Sequence, residues 1–491
     1  AQGAQAPPPQ QAAHLPVSGL QPQAGAVNSA QRATPGAGVN TLQPSLSASG
    51  EFAGSLPGAA FNGRLSLADA IRRGLAYNLG AAQWSDTARQ AAGAALTARS
   101  ALLPNLSGSF TENVQQTDLK AMGFRFTPAL SGIGAGLSFP TIVGPFNYMQ
   151  LQASLAQSLL DFTARDNYHA SQATLRADLL QLRDARSLVV LGVGGAYLGV
   201  IAAQARLVSA QAQLTTANAI LEQARQKQQV GSVARLTVDQ NQVQAAIQQL
   251  QLSSLQNDLD KQKINLARMI GLAPTANFQL TDAIPFAPPP PLSLAAALSR
   301  ALQNRADLQA AAAQAEAARA ALAAARAERL PSASVAADYG LIGTTLTDTS
   351  HGIFAVAGTV HIPLWQGGRV TGDLQQAQAV LAHRQAEQAD LRGQIKAQVQ
   401  VAFLDLATAA DQVKVAQNNL TVANEALSMA RDRFQAGVSN TVELIQAQQQ
   451  AAVAEQDVIN STYAHNLAKL TLARTLGDAP ASWPQFLPVR H

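Results

Sequence analysis

Cysteine is absent from the 491 residues. Disulfides, thiolate metal centres and cysteine nucleophiles are therefore excluded. A lipid anchor on an N-terminal cysteine is not expected. Aromatic residues make up only 5% of the chain and charged residues only 13%. The net charge of +4 comes from dispersed Lys and Arg, with no basic tract, so no nucleic-acid partner is expected. Catalytic signatures are missing too. GVGGAYLGV has Tyr197 where a dinucleotide fingerprint needs its third glycine, and GIGAGLSF fails likewise at Leu137. HExxH, P-loop and GxSxG patterns do not occur, and the seven histidines form no i, i+4 pair. We expect no enzyme, no cofactor and no metal site, and we read His361, on a strand, as a lumen or interface residue. The first residues, AQGAQ, show neither the charged nor the apolar region of a secretory signal; removal of such a signal is one expectation.

Only one long apolar run occurs, LVVLGVGGAYLGVIAA at 188–203. Its 16 residues fall short of the ~20 that a spanning helix needs, and four of them are glycine. The run also lies in a heptad register, so a buried packed helix is expected.

That register is the strongest pattern present. Val399, Leu406, Val413, Leu420, Leu427 and Phe434 recur every seven residues. Ala402, Ala409, Ala416, Ala423 and Ala430 recur three residues later in each heptad. The same pattern stands 206 residues earlier, with Val193, Val200, Leu207, Leu214 and Leu221 large and Ala196, Ala203, Ala210, Ala217 and Ala224 small. At roughly one alanine in five, ten alanines in ten slots has odds on the order of 10⁻⁷. A 3.5-residue repeat of large and small residues specifies long helices packed closely side by side. Phe434, near a turn, is expected to be the last large knob of this pattern rather than a constriction residue.

Duplication extends through the chain. RLSLADAIRRGLAYN at 64–78 matches PLSLAAALSRALQN at 291–304, and Leu103-Pro104 matches Leu330-Pro331, both 227 residues on. Each proline ends a helix and starts an extended segment. Four segments then alternate with period two. Leu106, Phe110 and Val114 oppose Ser107, Ser109, Thr111 and Asn113; Met149, Leu151, Ala153 and Leu155 oppose Gln150, Gln152 and Ser154. Val335, Ala337, Tyr339 and Leu341 oppose Ser334, Ala336, Asp338 and Gly340; Phe354, Val356, Val360 and Ile362 oppose Ala355, Thr359 and His361. About ten residues is the length of a tilted transmembrane β-strand. Loops are expected at 116–147 and 342–352. Long helices over about 163–229 and 369–435 would each reach on the order of 100 Å. Gly231 and Gly437 suit the position just past their ends, and returning helices follow over about 235–271 and 441–477.

The division expected is an extended or disordered Pro/Gln/Ala-rich arm at 1–63, a first repeat at 64–271, a linker at 272–290, a second repeat at 291–477 and a tail at 478–491. LSLADAI, LSLAAAL, LLPNLS, RLPSAS, PLWQGGR, VGSVARLTVDQNQ and AGVSNTVELIQAQ, in this order and spacing, resemble the TolC family of outer-membrane efflux channels. The resemblance covers about 64–477. It implies a mostly α fold with a transmembrane β part: a homotrimer in which each chain gives four strands to a twelve-stranded barrel and long helices to a periplasmic α-barrel. It implies a location in the outer membrane of a Gram-negative bacterium, contact with outer-membrane lipid, and work with a periplasmic membrane-fusion adaptor and an inner-membrane transporter. The implied function is the exit duct of a tripartite efflux or secretion system for small toxic molecules. A structural coiled-coil trimer of the periplasm or surface explains the heptads alone, and a soluble helical-repeat module explains only the duplication.

The family constricts near the helix turns, often with an acid six residues past the turn glycine and another three further on. Glu443 and Gln446 hold these positions in the second repeat. Thr237 holds the first in the other repeat, with Asp239 two residues later and Arg235 nearby to oppose it. The tip turns are expected at 230–235 and 436–440, around Gly231 and Gly437.

Overall fold

The computed structural model describes residues 50–59, 61, 63–123, 141–289, 291–344, 350–436, 438–439 and 441–487. A short 3-10 turn at Gly50–Ala53 precedes β1 (Arg64–Leu65), α1 (Leu67–Tyr77) and α2 (Leu79–Ser100). The antiparallel pair β2 (Asn105–Asp118) and β3 (Ile142–Leu160) follows. Next come α3 (Phe162–Gln229), α4 (Arg235–Met269) and β4 (Gln279–Leu280). The second repeat runs α5 (Leu294–Asn304), α6 (Ala306–Ala327), β5 (Ser332–Gly343), β6 (His351–His361), α7 (Arg369–Gln435) and α8 (Thr441–Thr475), and α9 (Ala479–Phe486) closes it.

The two repeats begin with the same local chemistry. Ser66 Oγ accepts the Asp69 N–H at 3.1 Å, and Ser293 Oγ accepts the Ala296 N–H at 3.3 Å. Each serine thus caps its helix by satisfying an otherwise orphaned donor. Eleven residues on, both helices break. Asn78 makes the first break, donating to the Phe52 and Met269 carbonyls and accepting from Gly80 N–H. Arg305 makes the second, bonded to Asp307 and Gln398.

Two compact units are distinguished: 1–89 with 176–312 and 386–491, and 90–175 with 313–385. The second unit holds a four-stranded sheet in the order β2-β3-β5-β6. Its register aligns Leu106, Leu155, Ala337 and Val356 in one cross-strand row, and Phe110, Leu151, Leu341 and Gly352 in another. Ser107, Ser154, Asp338 and Ala355 form a row between them, on the opposite face. One face is thus apolar and the other largely polar, as the period-two alternation predicts. The apolar face is open: Phe354 is 80% exposed and Leu106 75%. The strands reach further than the alternation suggests, so β2 and β3 take up both ends of the expected 116–147 loop. From β6 the chain turns into α7 through Gly367 and Gly368, at φ +61° and +87°. Arg369 then lies 2.7 Å from Glu328 and 2.9 Å from Asp373. This accounts for the GGR of PLWQGGR, because only glycine adopts such φ values without cost.

The first unit is helical. The apolar run 188–203 is core, with Val190, Val193, Tyr197 and Val200 fully buried among Leu65, Leu67, Leu266, Phe278 and Leu470. Among the described residues α3 alone is long and apolar enough to cross a membrane, and 72% of that window is buried within the chain. Glycine serves close packing here: a Cβ on Gly194 would meet Leu470 at 2.8 Å. The heptad residues behave as the pattern demands. Val399, Val413, Ala402, Ala409 and Ala416 on α7, and Val193, Val200, Ala203, Ala210 and Ala224 on α3, are buried within a single chain.

Three expected boundaries differ. Order begins before Arg64, because Phe52 is buried in the core and Leu56 N–H and Gly58 N–H bond to the Tyr77 and Gly271 carbonyls. Residues 1–49 of the expected arm lie outside the described residues. The stretch 272–290 is more than a linker: β4 pairs in parallel with β1, and Phe278 and Ile284 enter the core. The tail forms α9, whose Phe486 joins a second cluster with Ile395, Val399, Leu472 and Leu476.

Candidate functional site at the hairpin tips

Each pair of long helices reverses in a short turn. After α3, Gly231 N–H bonds to Gln228 C=O at 2.9 Å and Ser232 N–H to Lys227 C=O at 2.8 Å. This double closure needs a left-handed residue, and Gly231 has φ +75°. After α7, Val438 N–H bonds to Arg433 C=O at 3.0 Å, the equivalent of the Ser232 bond 206 residues on. Gly437 itself lies outside the described residues.

Glu443 stands in the first turn of α8, where the helix dipole favours a carboxylate. Ser439 Oγ donates to one of its oxygens at 2.7 Å, and Arg433 Nε lies 3.1 Å from the other. The ion pair bridges the turn from α7 to α8. Asp239 has a looser partner, Arg235 at 3.9 Å, one turn back on α4 and well exposed. The two candidate acids therefore have separate basic partners. Gln446 is exposed one turn beyond Glu443, and Thr237 lends its carbonyl to the buried Asn241 side chain at 2.8 Å. Sequence reading missed Arg433 and Ser439. The available signal was symmetry: Arg433 and Glu443 are equidistant from Val438 in an antiparallel hairpin.

Phe434 is a packing residue. It is buried with Ala430, Leu444 and Ala447, and Lys227 Nζ sits 4.7 Å from its ring centroid. That cation–π contact sets the end of α3 level with the end of α7. Further along, α3 meets α8: Arg206 donates to Asn460 Oδ1 at 2.6 Å and Ser209 to Glu455 at 2.5 Å. Between α3, α4, α7 and α8 lies a cleft of ≈ 540 Å³ whose mixed lining includes Gln213, Gln248, Asn424 and Arg431 beside Leu420 and Leu427. Nearer the start of α3, Asp184 pairs with Arg474 at 2.8 Å, and Arg305 with Asp307 at 2.5 Å. Burial pushes the Asp184 carboxyl up, against the pull of Arg474. Burial would raise Asp307 as well, but the Arg305 hydrogen bond and charge hold it below the usual carboxylate range. Among the described residues no cluster of His, Asp and Glu could hold a metal ion.

Known proteins fit this geometry. CzcC, the cobalt-zinc-cadmium resistance protein of Cupriavidus metallidurans, is 28% identical over 196 residues, covering 40% of this chain and 44% of CzcC. The match thus spans less than half of that relative's length. The CmeC outer membrane channel of Campylobacter jejuni is similar in structure with a TM-score of 0.72 at 17% identity, covering 89% of this chain and 95% of CmeC. The outer membrane protein VceC of Vibrio cholerae gives 0.67 at 20% identity, covering 84% and 96%. Residues 75–272 and 297–478 match the family described as outer membrane efflux protein, in two blocks that follow the duplication. With both repeats matched and the channel fold reproduced across nearly the whole described chain, the protein belongs to the outer membrane efflux protein family.

Proposed function

We propose that three copies of this chain form the outer-membrane exit duct of a tripartite efflux system. The carrying observation is the sheet: four strands with one apolar and one largely polar face, whose edge strands β2 and β6 have no further strand partner among the described residues. Lipid offers no hydrogen bonds to such edges, so the strands must close with those of other copies. The polar face then lines water and the apolar face meets lipid. The hairpin tips offer the docking surface for a periplasmic adaptor and, through it, an inner-membrane pump. Glu443, Asp239, Gln446 and Arg235 stand where the family narrows. With Arg433 held against Glu443, the resulting ring has little net charge, so selection of cargo by charge is weak.

Cargo is read as small toxic compounds, and the relative's name adds divalent metal ions to the panel worth testing. Deleting the gene in its host should sensitise cells to at least one compound or metal of that panel, with resistance restored by the intact chain. Crosslinking in the same cells should capture an adaptor and a pump. Unchanged resistance across the panel, together with extraction of the chain without detergent, would contradict the proposal.

A further inference from the structure

The four-stranded sheet carries one charge on its polar face. Its strands hold three carboxylates, Glu112, Asp118 and Asp338, and no Lys or Arg. Glu112 alternates in step with Phe110 and Val114, on the apolar face. Asp118 ends β2, where its Oδ1 accepts the Lys120 N–H at 2.9 Å and the Ala121 N–H at 3.3 Å. Asp338 stands in mid-strand, in the polar row with Ser107, Ser154 and Ala355. It is fixed there by its neighbours. Ser154, directly opposite on β3, and Gln152, the diagonal neighbour, both donate side-chain hydrogen bonds to its carboxylate. The Gln152 amide is oriented for this, because its Oε1 accepts from Gln150 Nε2 at 2.6 Å. Three side chains of β3 thus hold one carboxylate of β5 on the wall, and it remains partly exposed.

We propose that Asp338 gives the duct a modest, salt-dependent preference for cationic solutes, through three copies facing one another across the lumen of the β-barrel. This deepens the exit-duct reading above and rests on it. Twelve strands spaced ~4.8 Å apart and tilted ~40° make a wall of radius ~12 Å. A side chain reaching ~4 Å inward brings each carboxylate to ~8 Å from the axis. The Debye length is ~10 Å at 0.1 M, so the three fields overlap on the axis; at 1 M it is ~3 Å and they do not. Summing three screened charges in water at that distance enriches a monovalent cation about threefold at 0.1 M, a divalent one about tenfold, and a monovalent one only about 1.2-fold at 1 M. At the hairpin tips the candidate acids are balanced in pairs, Glu443 by Arg433 and Asp239 by Arg235. No basic residue of the four strands balances Asp338.

Reversal potentials of the full chain in planar bilayers under KCl gradients test this. Wild-type channels should prefer cations in dilute salt, near ~0.1 M, and lose the preference near ~1 M. Asp338→Asn should move the dilute-salt value towards zero. Asp338→Asn/Ala355→Asp, which returns a carboxylate to the same row, should restore it. The absence of cysteine gives a second arm. In Asp338→Cys the sole thiol should react with water-borne methanethiosulfonates. A sulfonate-bearing reagent should restore cation preference, and a trimethylammonium-bearing one should reverse it. Conducting channels whose reversal potential is the same with and without Asp338 would overturn the proposal and leave the duct reading standing. A thiol that reacts with neither reagent would overturn the lumen position, and the proposal with it. Wild-type protein that inserts and never conducts would overturn the duct reading and the proposal together.

Discussion

Single buried residues carry charges that the fold tolerates at some cost. Lys469 on α8 is 1% exposed, and burial lowers its pKa to about 8. The unfolded chain holds that proton up to the ordinary lysine range, so stability should rise as pH increases from about 8 towards 10.5. Lys469→Met should remove that rise and stabilise the protein at pH 7 by up to about 3 kcal/mol, read as a higher unfolding temperature. A variant no more stable at pH 7, with the rise intact, would mean that another group titrates. Glu443 acts at the tip in a different way. As an exposed pair, its contact with Arg433 contributes only ~0.2–1 kcal/mol, so Glu443→Gln should barely change thermal stability. It should, however, leave Arg433 unbalanced and shift the channel away from cations, as reversal potentials under a salt gradient would read. Unchanged reversal potentials would place this pair outside the pore. The Arg433 partnership leaves no periodic trace in the sequence, and only its symmetric spacing with Glu443 about Val438 points to it. The acid alone could be placed by the family's spacing.

Among the elements, the long helices were the most legible. Their alanine registers appear twice at a fixed shift, and packing then buries those alanines within one chain. Ala416→Leu should therefore damage the chain's own α7 packing, costing ~1–3 kcal/mol from overpacking, before it affects any contact between copies. The expected sign is a lower unfolding temperature even where assembly is prevented; normal folding with lost assembly would contradict it. An exposed heptad on α7, Val401, Thr408, Val415, Val422 and Met429, went unread because it includes a threonine and lacks the large–small alternation. The order around Phe52 went unread for a related reason: one aromatic residue in GEFAGSLPG makes no period. Yet Phe52 packs on Gly80, where a Cβ would stand 2.6 Å from its ring. A chain beginning at Arg64 should accordingly lose stability, by ~3–5 kcal/mol from the aromatic alone, as Phe52→Ala would. A chain beginning at Gly50 retains these contacts. Equal unfolding temperatures for the two truncations would show that the contacts contribute little.

At the scale of the whole molecule, the sheet and the helices make one argument. A four-stranded sheet with an exposed apolar face, and with no strand partner for either edge among the described residues, is not a finished structure in water or in lipid. Duplication, heptads and strand length made this architecture readable, whereas the proposed closure with other copies rests on no residue pattern within a strand. The central claim is that assembled copies enclose a continuous water path through the outer membrane. Planar-bilayer recording of the purified full chain tests it most directly. The account predicts uniform stepwise conductance increments on insertion, each corresponding to one trimer, with the same unit size across preparations. Protein that inserts, as judged by its flotation with lipid vesicles, yet yields no conductance steps under any applied voltage would contradict it.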